Sequence, residues 1–67
     1  MIIRLNGQEY ALSRDPAPLP ELLRELGLEG RPVLVEHNGV ALRPGEIAEA
    51  LVHEGDVIEM VQLAAGG

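Results

Sequence analysis

The sequence predicts an α+β fold, a mixed sheet with one helix across one face. Three observations carry that expectation. Asn-Gly pairs at 6–7 and 38–39 each sit between short apolar stretches. Leucines at 19, 22, 23 and 26 fall on one face of a helix. Residues 57–63 then alternate as a half-buried strand does.

Residues 1–12 read as a β-hairpin. A two-residue type I′ turn needs φ > 0 at both central positions, and Asn6-Gly7 supplies it. That turn sets the register: Leu5 faces Gln8, Arg4 faces Glu9, Ile3 faces Tyr10 and Met1 faces Leu12. One face then holds Met1, Ile3, Leu5, Tyr10 and Leu12. A one-residue slip would put this set in water. Residues 14–20 form a stiff connector with prolines at 16, 18 and 20. Pro20 suits a first helical position, where its missing N–H is not needed. The leucine stripe follows, with Glu21 and Arg24 as an i,i+3 pair on the wet face. Gly27 fits the C′ position, and Leu28 closes a Schellman contact onto Leu23. So short a helix does not hold alone. It forms by covering the hairpin's apolar face.

Residues 32–38 read as the third strand, with Val33, Val35 and His37 on one side and Leu34, Glu36 and Asn38 on the other. Asn38-Gly39 turns the chain into a short strand at 40–42, which Arg43-Pro44-Gly45 ends. Residues 46–51 suit a helical turn with Ile47 and Leu51 inward. Residues 53–56 form a turn. The last strand, 57–63, points Ile58 and Met60 inward and Glu59 outward. It is expected beside the first strand. Residues 1–63 thus form one domain, and Ala64-Ala65-Gly66-Gly67 follow as a tail without side chains to pack.

Composition removes several function classes. The 67 residues carry 5 Lys+Arg and 11 Asp+Glu, a formal net charge of −6. All the cations are Arg, and there is no cysteine and no lysine. There is therefore no disulfide, thiolate zinc site, cysteine nucleophile or Schiff-base lysine. The acidic balance argues against nucleic acid, whose phosphates need Lys/Arg, and favours a basic partner surface. No apolar run approaches the ~20 residues of a membrane span, and the start lacks the apolar core of a signal peptide. The expected compartment is the cytosol.

The catalytic inventory is thin. Ser13 and Tyr10 have no histidine close in sequence, and read as a turn serine and a core tyrosine. His37 and His53 are sixteen residues apart and would need converging carboxylates to make a metal site; they read as a strand-end and a turn histidine, and Glu25, Glu29, Glu46, Glu49 and Glu54 read as a solvated surface. The terminal glycines read otherwise. Without Cβ, such a backbone approaches another surface closely, and an extended tail threads a narrow channel. Its α-carboxylate becomes an electrophile once adenylated.

Taken together, Met1-Ile2-Ile3-Arg4-Leu5-Asn6-Gly7, the helix from Leu19 through Leu28, Val35-Glu36-His37-Asn38-Gly39, Glu54-Gly55-Asp56 and the Gly66-Gly67 end resemble the ThiS-type sulfur carriers of bacterial thiamine biosynthesis, ubiquitin-like β-grasp proteins. The resemblance spans all 67 positions. It implies strand order 2-1-5-3-4 with the helix packed across the sheet. It implies a protein co-substrate, not an enzyme, with no bound cofactor. A ThiF-like adenylating enzyme would use ATP and magnesium to activate Gly67. A cysteine desulfurase would supply sulfur indirectly, and the resulting thiocarboxylate would feed a ThiG-like thiazole synthase. Gly66, Ala65 and Ala64 would enter the partner's active site. Two departures concern packing: the residue before Pro20 is Leu19 rather than a polar cap, and no aromatic residue lies near the 46–51 turn.

With that strand order, the face away from the helix shows Ile2, Ala11, Leu34, Val57 and Val61, ringed by Arg4, Glu9, Glu36 and Glu59. This is the expected docking surface. The alternatives are a carrier for molybdopterin synthesis or tRNA thiolation, and a non-covalent β-grasp interaction module.

Overall fold

The computed structural model describes residues 1–63. Its elements run β1 (Ile2–Leu5), β2 (Gln8–Ala11), β3 (Ala17–Pro18), α1 (Leu19–Glu25), β4 (Val33–His37), β5 (Val40–Ala41), α2 (Pro44–Glu49), β6 (Leu51–Val52) and β7 (Val57–Gln62). The main sheet has the order β2-β1-β7-β4-β5. Counting only its own five strands, this is the expected 2-1-5-3-4. The fold class and the placing of the last strand beside the first both hold.

Both hairpins follow from their turns. Asn6 and Gly7 have φ of 49° and 81°, and Asn38 and Gly39 have 52° and 84°. These are left-handed values that asparagine and glycine tolerate best. The first hairpin pairs Ile2 with Ala11, Ile3 with Tyr10, Arg4 with Glu9 and Leu5 with Gln8. The Leu12 N–H donates to the Met1 carbonyl at 2.8 Å, and the N-terminal amine donates back to the Leu12 carbonyl at 2.8 Å. Arg4 and Glu9 stand opposite each other but close no ion pair among the described residues.

The helix places Leu19, Leu22 and Leu23 in the core. They join Ile3, Leu12, Ala17, Val35, Val52, Ile58 and Met60 in one buried cluster. The C-terminus closes as a Schellman motif. Leu28 N–H donates to the Leu23 carbonyl at 2.8 Å, Gly27 N–H to Arg24 at 3.1 Å, and Gly27 has φ of 75°.

Four expectations are corrected. The helix starts one residue earlier, at Leu19, with Pro18 as a cap that offers no side-chain hydrogen bond. The connector is not wholly a linker: Ala17 and Pro18 pair antiparallel with Val52 and Leu51 in a small second sheet. Pro18 is extended, with φ of −61° and ψ of 136°, and the Leu19 N–H donates to the Ala50 carbonyl at 2.9 Å. The second helix begins at Pro44, and Leu51 points outward while Val52 is buried. The backbone leaves helical angles at Ala50 (ψ 143°), so the helical spacing no longer applies one residue later. Finally, Glu21 and Arg24 do not pair. Arg14 takes Glu21 at 2.6 Å and Arg24 takes Glu29 at 2.7 Å. Both pairs are exposed and add little stability.

A chain this short buries only about 60% of its unfolded surface, so each core side chain weighs heavily. Leu22 is fully buried. Leu22→Ala is expected to cost about 2–5 kcal/mol in urea unfolding. The same change at exposed Val40 is expected to stay within about 0.5 kcal/mol.

Candidate functional site

The last strand carries Val57, Glu59 and Val61 of the expected docking face. β7 runs parallel to β1, pairing Val57 with Arg4 and Ile58 with Leu5. On its other side it runs antiparallel to β4, from Ile58 opposite His37 to Gln62 opposite Val33. The Leu63 N–H then donates to the Pro32 carbonyl at 3.0 Å. The chain is thus held to the sheet up to its last described residue. Ala64, Ala65, Gly66 and Gly67 lie outside the described residues.

Strand alternation divides β7 between two environments. Ile58 and Met60 are buried, whereas Val57, Glu59 and Val61 face outward. On the same outer face stand Ile2 and Leu34. Leu34 lies directly opposite Val61, and both are 59% exposed. The residues expected to form a docking face therefore share one surface. Next to the Leu34–Val61 pair the register sets Glu36 opposite Glu59. With Ala41 and Leu42 these residues line a shallow groove of about 190 Å³.

A second cluster joins the two histidines, which sequence spacing alone keeps apart. Asp56 sits between them. Its Oδ2 lies 2.7 Å from His37 Nε2 and accepts the His53 backbone N–H at 2.8 Å. Its Oδ1 accepts from Asn38 Nδ2 at 3.2 Å. The neighbouring Glu54 accepts the Ile2 N–H at 2.9 Å, and the Arg4 N–H donates to the Asp56 carbonyl at 2.9 Å. This clasp ties the 53–56 turn to β1 and to the β4–β5 hairpin. Its residues are engaged with one another and with the backbone, which is a structural role.

Other carboxylates read as solvated also have partners. Glu25 accepts from the Tyr10 hydroxyl at 3.1 Å, and Glu46 accepts the Arg43 N–H at 2.7 Å. Partial burial, then the Glu25 carboxylate, raises the Tyr10 hydroxyl above its usual pKa. That makes it a poorer nucleophile. Among the described residues no group of three or more His, Asp or Glu is placed to hold a metal ion. No helix among them is long and apolar enough to cross a membrane.

Known proteins agree with this geometry. The ThiS family matches residues 3–67. The chain belongs to the ThiS family. It is 35% identical to the sulfur carrier protein ThiS of Thermus thermophilus over 66 residues, covering 98% of this chain and all of that one. It is 30% identical to the sulfur carrier protein ThiS of Bacillus subtilis, over the same shares. The crystal structure of the thiamine biosynthesis protein ThiS from Geobacter metallireducens superposes with a TM-score of 0.83 at 28% identity, covering both chains fully. A thiazole synthase of Paramagnetospirillum magneticum is 34% identical across this whole chain, which spans 20% of that longer protein. The resemblance to ThiS-type sulfur carriers therefore holds.

The Asp56 clasp sets an acid limit on the fold. Burial alone would raise the Asp56 carboxyl, but hydrogen bonds from His37, the His53 backbone and Asn38 outweigh it and hold the group below the usual carboxylate range. A carboxylate depressed in the folded state stabilises above its unfolded pKa and loses that contribution as pH falls through the folded one. Asp56→Asn is expected to cost about 1–3 kcal/mol at pH 7. Urea midpoints should fall more steeply in the wild type than in the variant as pH drops below about 4.

Proposed function

We propose that this ThiS-family chain carries sulfur as a thiocarboxylate on Gly67 and delivers it to thiazole formation in thiamine biosynthesis. One observation carries the reading: the family match runs to residue 67 and so takes in the Gly-Gly end. The thiazole synthase that contains a similar stretch supports the choice of pathway.

The chemistry divides between this chain and its partners. A carboxylate oxygen of Gly67 attacks the α-phosphorus of ATP on a ThiF-like adenylating enzyme, with magnesium, and pyrophosphate leaves. The terminal sulfur of a persulfide, supplied indirectly by a cysteine desulfurase, attacks the acyl carbonyl, and AMP leaves. A thiol then cleaves the acyl disulfide, leaving the thiocarboxylate on Gly67 and a disulfide on the donor side. A ThiG-like thiazole synthase takes the sulfur. No side chain of this protein donates or accepts a proton in these steps. Gly66 lets the backbone pass closely into the partner, and Ala65 and Ala64 keep the tail narrow. The outer sheet face bearing Ile2, Leu34, Val57, Glu59 and Val61 docks the adenylating enzyme. The work is cytosolic, where ATP and reduced thiols are at hand.

Protein made in its native host should show, by intact mass, a fraction with one oxygen replaced by sulfur. Deleting Gly67 should abolish ATP–pyrophosphate exchange with the adenylating enzyme and leave thermal stability unchanged. Continued exchange by the truncated chain would refute the reading. Thiazole should restore growth to a strain lacking the gene; rescue by molybdopterin products instead would move the carrier to that pathway.

A further inference from the structure

The outer face of the sheet carries an arrangement that stability alone does not explain. Antiparallel register places Glu36 directly opposite Glu59. Like charges opposite one another in a sheet are destabilising. Neither carboxylate forms an ion pair with an arginine of the chain among the described residues. Both border the groove whose apolar floor is Leu34, Ala41, Leu42 and Val61. The groove therefore joins an apolar trough to a doubled negative charge on a molecule of net charge −6.

We infer that this groove docks an apolar protein surface bearing an arginine, on the adenylating enzyme named above, whose guanidinium lies across Glu36 and Glu59. An arginine fits both halves of the site. Its aliphatic stem packs on apolar surface while the charged head stays among polar groups. Its planar fork offers donors to two carboxylates at once, which a lysine's point charge does not do as well. A second copy of this chain is a poor occupant, because it brings the same excess of negative charge. The groove's position adds to the case: Glu59 and Val61 lie on β7, the strand that leads into the tail. A partner seated there holds the carrier by the element nearest to Gly67 in sequence.

The inference rests on the carrier reading, and the two fail in different ways. The full-length protein is assayed with its adenylating enzyme by pyrophosphate exchange, and KM for the carrier is separated from kcat. In the double variant Glu36→Gln, Glu59→Gln, KM should rise roughly tenfold or more with kcat unchanged. The melting temperature should hold or rise, because the repulsion is gone. Wild-type KM should climb with ionic strength, and the variant's should climb less. Val61→Asp should raise KM by blocking the stem. An unchanged KM in the double variant, with normal exchange by the wild type, overturns the docking inference alone. No exchange by the wild type overturns the carrier reading. A lowered melting temperature with unchanged KM makes the pair structural. A dimer that these substitutions dissolve would assign the groove to a second copy and likewise overturn the inference.

Discussion

The fold depends on inserting the last strand between β1 and β4. β7 has β1 on one side and β4 on the other, so neither hairpin joins the other until the chain is nearly finished. Side chains from both hairpin turns secure it. Asn6 Oδ1 accepts the Met60 N–H at 2.8 Å, carrying the pairing past the end of β1. Asn38 Oδ1 accepts the Val57 N–H at 2.8 Å at the start of the strand. The same residues that supply the left-handed turn angles also bond the strand that closes the sheet. A glycine at either position would keep the turn and lose that bond.

This double duty explains what the sequence makes legible and what it does not. The first hairpin is readable to the residue because its turn type fixes the register and its apolar alternation admits no slip. The leucine stripe and Gly27 give the helix and its end. Short-range patterns reach no further. β3 and β6 are two residues each, too short for any periodicity, and one of the four residues is a proline. Leu51 suits the helical spacing, yet the helix has already ended when the chain reaches it. The Asp56 clasp joins residues 19 apart, which only the folded register brings together. The outer face is legible once the strand order is assumed, since alternation alone assigns its residues to one side. The opposition of Glu36 and Glu59 needs the pairing of β4 with β7 to the residue, and no local signal supplies it.

The division of labour between chain and partners follows from composition as well as shape. With no cysteine, no lysine and no metal-binding group among the described residues, the side chains offer little that reacts with an activated acyl group. The α-amine, the one primary amine in the chain, is tied to the Leu12 carbonyl. A carrier so composed is suited to bear an electrophile without consuming it. That composition accords with the proposed carriage, in which other proteins make and break the bonds.

A single helix covers only one face of a five-stranded sheet. In a larger domain a second layer of helices would bury the other face; here α2 packs beside α1, and among the described residues no helix covers the outer face. Ile2, Leu34, Val57 and Val61 therefore remain in water, with a cost that this small core must offset. Substituting polar residues there would relieve that cost without disturbing Ile58 or Met60, because alternation keeps the two sets apart. The apolar face is thus not required by the fold. Its persistence beside two unneutralised carboxylates is best understood if a partner serves as the missing layer, and the strand that this layer contacts is the one that ends in the tail.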